Sequence, residues 1–132
     1  MAFPATEKGV VLLRAAQDVP HTIDKLKALF AEHGISVFAH IDFSSDAAQA
    51  GMSMRQEQLL LFGNPKSGTP LMQAEPLVGL DLPLKVLVWD DPAGATWMAS
   101  NSADYIVQRH GLPQASASAL QGALSLLNQL AL

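Results

Sequence analysis

The chain has 132 residues and a mass of 14.0 kDa, a size at which one domain is expected to form around one core. Its formal charge of −4, with eight Lys and Arg residues that are scattered, provides no basic surface for nucleic acid or for an anionic membrane. The absence of cysteine excludes disulfides, thiolate catalysis and cysteine-ligated metal centres.

The first predicted elements are a strand, a helix and a second strand. A continuous apolar run over residues 10–16 predicts a buried strand, and Asp18 followed by Pro20 predicts the start of a helix. The apolar residues of that helix recur on one stripe, as expected for a helix that lies on a sheet, and Gly34 predicts its end. Residues 35–42 form the second predicted strand.

The middle of the chain continues in the same pattern. Residues 44–52 predict a turn or a short helix, and residues 56–62 predict a third strand. A glycine-containing loop follows, and a short helix is expected to run from Thr69 until Pro76, because proline disfavours helical geometry in the residue before it.

The last predicted elements are a β-hairpin and two helices. Residues 84–89 and 96–100 read as strands that are joined by a turn at residues 91–94. A helix capped by Asn101 or Ser102 then leads to a final helix over residues 116–130.

These elements predict one α+β domain over residues 1–132. We expect a two-layer sandwich, in which a mainly antiparallel five-stranded sheet carries helices on one face, in the order β-α-β-β-α-β-β-α-α. The first eight residues do not resemble a signal peptide, and no stretch reaches the roughly 18 apolar residues of a membrane span. The sequence therefore predicts a cytoplasmic protein without a membrane partner.

The most distinctive segment is Gly-Asn-Pro-Lys-Ser-Gly-Thr at residues 63–69, called the glycine segment below. Gly63 and Gly68 have the separation of the glycines in a phosphate-binding P-loop. However, Thr69 and Pro70 stand where that motif requires Lys and then Ser or Thr, so nucleotide hydrolysis is not expected.

A weaker ligand site at the glycine segment is still consistent with its residues. Free N–H groups at a helix start, together with Lys66, would bind a small anionic or polar ligand. The predicted ligand-binding residues are Gly63, Asn64, Lys66, Ser67, Gly68 and Thr69. The structural alternative is that the glycines only permit positive φ in a tight turn and that Asn64 bonds its own backbone.

Several motifs resemble the domain of unknown function 302 family. They are FGNPKSGTPLM at residues 62–72, LDLPLK at 80–85 and VW at 88–89, followed by Asn101-Ser102, Tyr105 and RHGL at 109–112. The resemblance covers roughly residues 8–112. It implies a compact, often dimeric α/β sandwich, and it implies no reaction.

The chain departs from the family pattern after the second predicted strand. The family usually has Asp-His there, whereas this chain has Asp42 followed by Phe43. His40 precedes Asp42 by two residues and so points to the same face of a strand, which makes these two residues the candidate acid/base pair. No metal site is predicted, because the histidines lack helical ligand spacing. They are His21, His33, His40 and His110.

The prediction of an oligomer depends on the C-terminal segment. Residues 111–132 contain no charged side chain, and leucines recur along one face of the final helix. A solvent-facing helix normally carries charges opposite its apolar face, so this helix is either buried within its own subunit or covered by a second one. Because a terminal helix has few neighbours left to cover it, we expect it to contribute to a homodimer contact.

Three function classes follow from the sequence. The favoured one is a homodimeric domain that binds a small ligand through the glycine segment. The second is an enzyme with a histidine or carboxylate beside that segment, drawn from His40, Asp81, Asp90 and Asp91. The third is an assembly or regulatory partner. No catalytic residue or cofactor is assigned.

Overall fold

A computed structural model describes residues 8–132, and an antiparallel sheet is its central element. The sheet has the strand order β1-β5-β4-β3-β2, and every neighbouring pair is antiparallel. Strands β2 to β5 therefore form a meander, while β1 joins the sheet beside the last strand. The strands are β1 (Val10–Arg14), β2 (Ser36–Asp42), β3 (Glu57–Gly63), β4 (Leu84–Asp90) and β5 (Thr96–Asn101).

Helices connect and follow these strands. They are α1 (Val19–Glu32), α2 (Phe43–Gln49), α3 (Pro65–Ala74), α4 (Ala103–Arg109) and α5 (Ala117–Ser125). Short 3-10 turns occupy Pro76–Leu80, Gln114–Ser116 and Leu126–Leu130. The predicted α+β class with a five-stranded antiparallel sheet is confirmed. The structure has a helix, α2, where the sequence predicted either a turn or a short helix, so α2 is added to the predicted order.

The core lies between one face of the sheet and the helices. Alternate strand residues such as Leu60, Phe62, Val86 and Val88 are completely buried, as the period of two in a strand requires. Helix α1 adds Phe30, whose ring stacks on Phe62 with the centroids 4.3 Å apart.

The C-terminal segment belongs to this core. Its leucines at 120, 124, 126 and 127 are buried within their own subunit, in the same cluster as the strand residues. The predicted single helix over residues 116–130 is in two parts, because α5 ends at Ser125 and a 3-10 turn continues. The apolar face of the segment is therefore not available for the dimer contact that the sequence predicted.

Helix α3 begins at Pro65, four residues before the predicted start at Thr69. The side chain of Asn64 caps the helix by accepting a hydrogen bond from the backbone N–H of Lys66 at 2.9 Å. Pro65 fits the first helical position, where a missing N–H costs nothing. The glycine segment is thus mainly a helix start and not an open loop, and Gly63 and Gly68 do not have positive φ.

One carboxylate organises the turn between β4 and β5. Asp91 accepts hydrogen bonds from the backbone N–H groups of Ala93 and Ala95 and from the indole N–H of Trp97, each at 2.9 Å. Gly94 provides the positive φ of +86° that the turn needs. The bonds, with that from Trp97 as the largest cause, lower the pKa of Asp91.

We expect the stability contributed by Asp91 to be lost at acid pH. Since its pKa is lower in the folded state than in the unfolded chain, the carboxylate stabilises the fold above the unfolded pKa of about 4. That stabilisation disappears as the pH falls through the folded pKa. Urea unfolding of wild type and Asp91→Asn should therefore give a stability difference that shrinks between about pH 5 and about pH 2. Asp24→Asn on α1 is the control, and a pH-independent difference for Asp91→Asn would contradict the assignment.

Candidate functional site

A cavity of about 450 Å³ lies beside α3, within the size range of small-molecule sites. The end of β3, the first turns of α3, the residues around the start of β4, and α5 form its walls. The lining residues are His33, Ile35, Phe38, Gly63, Asn64, Pro65, Ser67, Gly68, Thr69, Met72, Leu82, Pro83, Leu84, Ala119, Leu120, Gly122, Ala123 and Leu126.

The walls of this cavity are mainly apolar. Phe38, Met72 and Leu82 contribute large apolar side chains, and no Asp, Glu, Lys or Arg is among the described residues that line it. Phe38 is 52% exposed and Met72 is 38% exposed, so both present apolar surface that a ligand would cover. The cavity therefore suits an apolar molecule better than a charged one.

A few polar groups interrupt the apolar walls. The hydroxyls of Ser67 and Thr69 have no hydrogen-bond partner within residues 8–132. The Nδ1 atom of His33 lies 2.9 Å from the carbonyl oxygen of Leu29, which can only accept, so Nδ1 carries the proton. In the neutral ring, Nε2 is then an acceptor. These groups can orient a ligand that has a neutral polar end.

The structure brings most of the predicted ligand residues to this cavity, with the exception of Lys66. Gly63, Asn64, Ser67, Gly68 and Thr69 line it, whereas Lys66 is exposed and does not. The backbone N–H of Lys66 bonds the Asn64 side chain, and those of Ser67 and Gly68 bond the Asn64 carbonyl at 2.9 and 3.0 Å. These three amides are therefore not free for an anion, and ligand binding by the segment stays a prediction.

His40 and Asp42 lie on the same face of β2, as predicted, but neither lines the cavity. The Nδ1 atom of His40 lies 2.8 Å from the ammonium of Lys27, and its Nε2 atom lies 2.6 Å from the side-chain oxygen of Gln58. Because an ammonium only donates, Nδ1 accepts and Nε2 donates. His40 thereby links α1 to the sheet.

Asp42 acts as the N-cap of α2. It accepts hydrogen bonds from the Ser44 hydroxyl at 2.6 Å and from the backbone N–H of Ser45 at 2.9 Å. The Ser44 bond is the largest cause of a lowered pKa for Asp42. A carboxylate with a lowered pKa is a poor general base near neutral pH. The structure thus does not bring the candidate acid/base pair to the glycine segment.

A cluster of Asp81, Arg109 and His110, which the sequence did not predict, joins two segments that carried the family resemblance. Both carboxylate oxygens of Asp81 accept hydrogen bonds from the guanidinium of Arg109, at 3.1 and 2.9 Å. The Nε2 atom of His110 lies 2.6 Å from Asp81, and both of these side chains are less than a tenth exposed. Asp81 directly precedes Leu82, so the cluster ties the cavity wall to the end of α4.

Sequence reasoning also missed the wall that α5 contributes. Ala119, Gly122 and Ala123 are small residues at the i, i+3 and i+4 positions of one helical face, and all three line the cavity. That pattern was the available signal, because small side chains leave space where a helix approaches its neighbour. Within residues 8–132, no three His, Asp or Glu side chains are grouped so that they could hold a metal ion.

Removal of the Asp81 carboxylate should destabilise the protein. Asp81→Ala leaves His110 buried without its partner, and we expect the free energy of unfolding to fall by about 2 to 3 kcal/mol. The exposed Asp46→Ala on α2 is the matched control and should cost less than about 0.5 kcal/mol. Urea denaturation measures both, and equal losses would show that the cluster does not stabilise the fold.

A family model described as "Domain of unknown function DUF302" matches residues 12–130. The match continues beyond residue 112, where the quoted motifs end, and includes α5. The fold is also similar to the crystal structure of an uncharacterised conserved DUF302 protein from Bacillus stearothermophilus, with a TM-score of 0.77. That likeness covers 93% of this chain and 95% of the other at 17% identity, so it shows the fold alone.

Curated relatives come from Brucella. The chain is 35% identical over 115 residues to the protein called "Fluoride-specific ion channel FluC 1" of Brucella suis biovar 1 (strain 1330) and to its counterpart of the same name in Brucella abortus biovar 1 (strain 9-941). The match covers 87% of this chain but only 45% and 43% of those proteins. The chain thus spans less than half the length of these relatives. No helix in the described part of this chain is long and apolar enough to cross a membrane.

Proposed function

This chain belongs to the DUF302 family, and we propose that it is a binding domain for a small, mainly apolar molecule with a neutral polar group. The observation that carries the proposal is the cavity of about 450 Å³, which has apolar walls and two hydroxyls, those of Ser67 and Thr69, that have no hydrogen-bond partner within residues 8–132. The family description names no activity, so the argument depends on this chain's own residues.

The energetics of the cavity favour a neutral ligand. Apolar surface removed from water contributes about 25 cal/mol per Å² to the binding free energy. A ligand that covers the exposed parts of Phe38 and Met72 therefore binds more tightly through both contacts. An anion would have to lose its water without gaining a cationic partner, since Lys66 does not line the cavity and the amides of Lys66, Ser67 and Gly68 are engaged by Asn64. We therefore narrow the anionic or polar ligand that the sequence predicted to a neutral one.

The same walls favour binding over catalysis. His33 is the titratable residue among the described lining residues, and its Nδ1 atom is committed to the Leu29 carbonyl. No Asp or Glu is among the described residues that line the cavity, so none of these residues orients the ring as in a general base pair. The enzyme alternative would therefore need a catalytic group that the cavity does not present.

Ligand binding is tested with 1-octanol, a neutral apolar probe with one hydroxyl. Gly122→Leu should block binding, because a Cβ at Gly122 meets no atom within 4 Å and the longer side chain has room to extend into the cavity. Ser118→Leu, on the same helix but not on the wall, is the matched control. At ten times its dissociation constant, 1-octanol should stabilise wild type and the control by about 1.4 kcal/mol in thermal unfolding. Equal stabilisation of all three proteins would contradict the proposal.

Phosphate, a small anion, tests the alternative that the glycine segment binds an anion. It should leave the melting temperature of wild type unchanged, and Lys66→Ala should respond to 1-octanol as wild type does. Stabilisation by phosphate that is lost in Lys66→Ala would instead support an anion site at the glycine segment and would overturn the neutral-ligand proposal.

We also propose, as a second candidate, that the domain works beside a membrane fluoride channel. The observation that favours this function is the match to less than half of two proteins named as fluoride-specific ion channels. Because the described part of this chain has no helix that could cross a membrane, the channel of those relatives would lie in the part that this chain does not match. The domain would then be an attached partner of the channel.

A direct binding experiment tests this second candidate. The unmatched part of the Brucella suis relative, purified in detergent, should form a complex with this chain that elutes earlier in size-exclusion chromatography than either component. Detergent micelles without the channel part are the control. Separate elution of the two components at micromolar concentrations would contradict the proposal.

A further inference from the structure

The face of the sheet that points away from the helices carries a continuous apolar row. Cross-strand neighbours share a face, and the observed register aligns one apolar residue from each of the five strands. We call this set the central row. Its members, from β1 to β2, are Leu12, Ala99, Leu87, Leu59 and Ile41.

Two further rows flank the central row on the same face. The tryptophan row consists of Arg14, Trp97, Trp89 and Glu57, and the guanidinium of Arg14 stands 5.8 Å from the centre of the Trp97 ring. The lysine row lies on the other side and contains Lys85, Leu61 and Ala39. The apolar members of all three rows are half-buried, and they do not belong to the core cluster or to the residues packed against it.

This composition is unusual for a sheet face that meets water. An antiparallel sheet with one covered face normally alternates apolar residues inside with polar residues outside. Here Leu59 and Leu61 face outward and alternate along β3 with the buried Leu60 and Phe62. An apolar surface of this kind marks an interaction site.

The charges on the face indicate what covers it. Glu57 in the tryptophan row and Lys85 in the lysine row lie on the neighbouring strands β3 and β4. Within residues 8–132, neither side chain has an ion pair or a hydrogen bond. The two unpaired charges are of opposite sign and lie on opposite sides of the central row, so a two-fold rotation about that row brings each of them towards the opposite charge of a second copy.

We propose that the sheet face binds a second copy of this chain about a two-fold axis that runs across the strands above the central row. The central rows of the two copies then pack on each other, and each tryptophan row faces a lysine row. Lys85 of one copy meets Glu57 of the other, and symmetry forms this pair twice. Packed sheets lie about 10 Å apart, a distance that a lysine and a glutamate side chain span together.

This surface is distinct from the proposed ligand site. None of its residues lines the cavity, which lies on the helical side of the sheet. The dimer proposal and the ligand-binding proposal can therefore be tested separately, and the failure of one does not contradict the other. The proposal also replaces the C-terminal helix as the dimer contact, because the leucines of that helix are in the core.

Sedimentation velocity of the full chain at micromolar concentrations tests the proposal. Wild type should sediment with twice the 14.0 kDa mass of one chain. Leu87→Glu places a carboxylate in the centre of the face and should give a folded monomer. Leu77→Glu, at a residue that is 64% exposed and outside the sheet, is the matched control and should remain dimeric. A monomeric wild type or a dimeric Leu87→Glu would overturn the proposal.

A charge exchange keeps the proposal testable if Leu87→Glu does not fold. Lys85→Glu alone and Glu57→Lys alone each bring like charges together and should weaken the dimer by about tenfold. The double variant restores opposite charges and should recover most of the wild-type dimer affinity. A double variant that dimerises no better than the single variants would show that the two residues do not meet across a two-fold axis.

Discussion

The alternation of side chains along the five strands is the constraint on which this structure depends. Helix α1 and the C-terminal segment cover one face of the sheet, and the stack of Phe30 on Phe62 joins α1 to β3 within that contact. Once Leu60 and Phe62 are fixed in the core, every residue between such positions must face the other side. The sequence places apolar residues there as well. A sheet with two apolar faces is the result, and helices cover one of them.

Much of the fold could be predicted from the sequence, because its strands and helix ends have local signals. The apolar runs gave the strands to within a few residues, and Gly34 and Gly111 end their helices with positive φ. The start of α3 could not be predicted in this way. Asn64 followed by Pro65 is equally typical of a turn and of a capped helix start, and only the bonds to the Asn64 carbonyl distinguish them.

The candidate site was less predictable, because its parts are far apart in the sequence. The glycine segment was recognised, yet the opposite wall of the cavity comes from Ala119 and Gly122, at least fifty residues later. Asp81 and His110 each belonged to a quoted motif, but their contact depends on how α4 docks. The period of a strand predicts that His40 and Asp42 share a face of β2, and they do. The bonds of His40 to Lys27 and Gln58 could not be predicted, because they depend on tertiary packing.

The position of β1 beside β5 has a consequence for the order in which the chain folds. Val10 pairs with Asn101, and Ala15 forms a bridge with Ala131. The first strand therefore pairs only with residues that lie far from it in the sequence. Strands β2 to β5 are joined as sequential neighbours and close shorter loops. Since loop closure must precede the gain from non-local contacts, β1 is expected to dock last and to make folding slow for a chain of this size. Until then, both edges of the four-stranded meander are open to pairing with other chains.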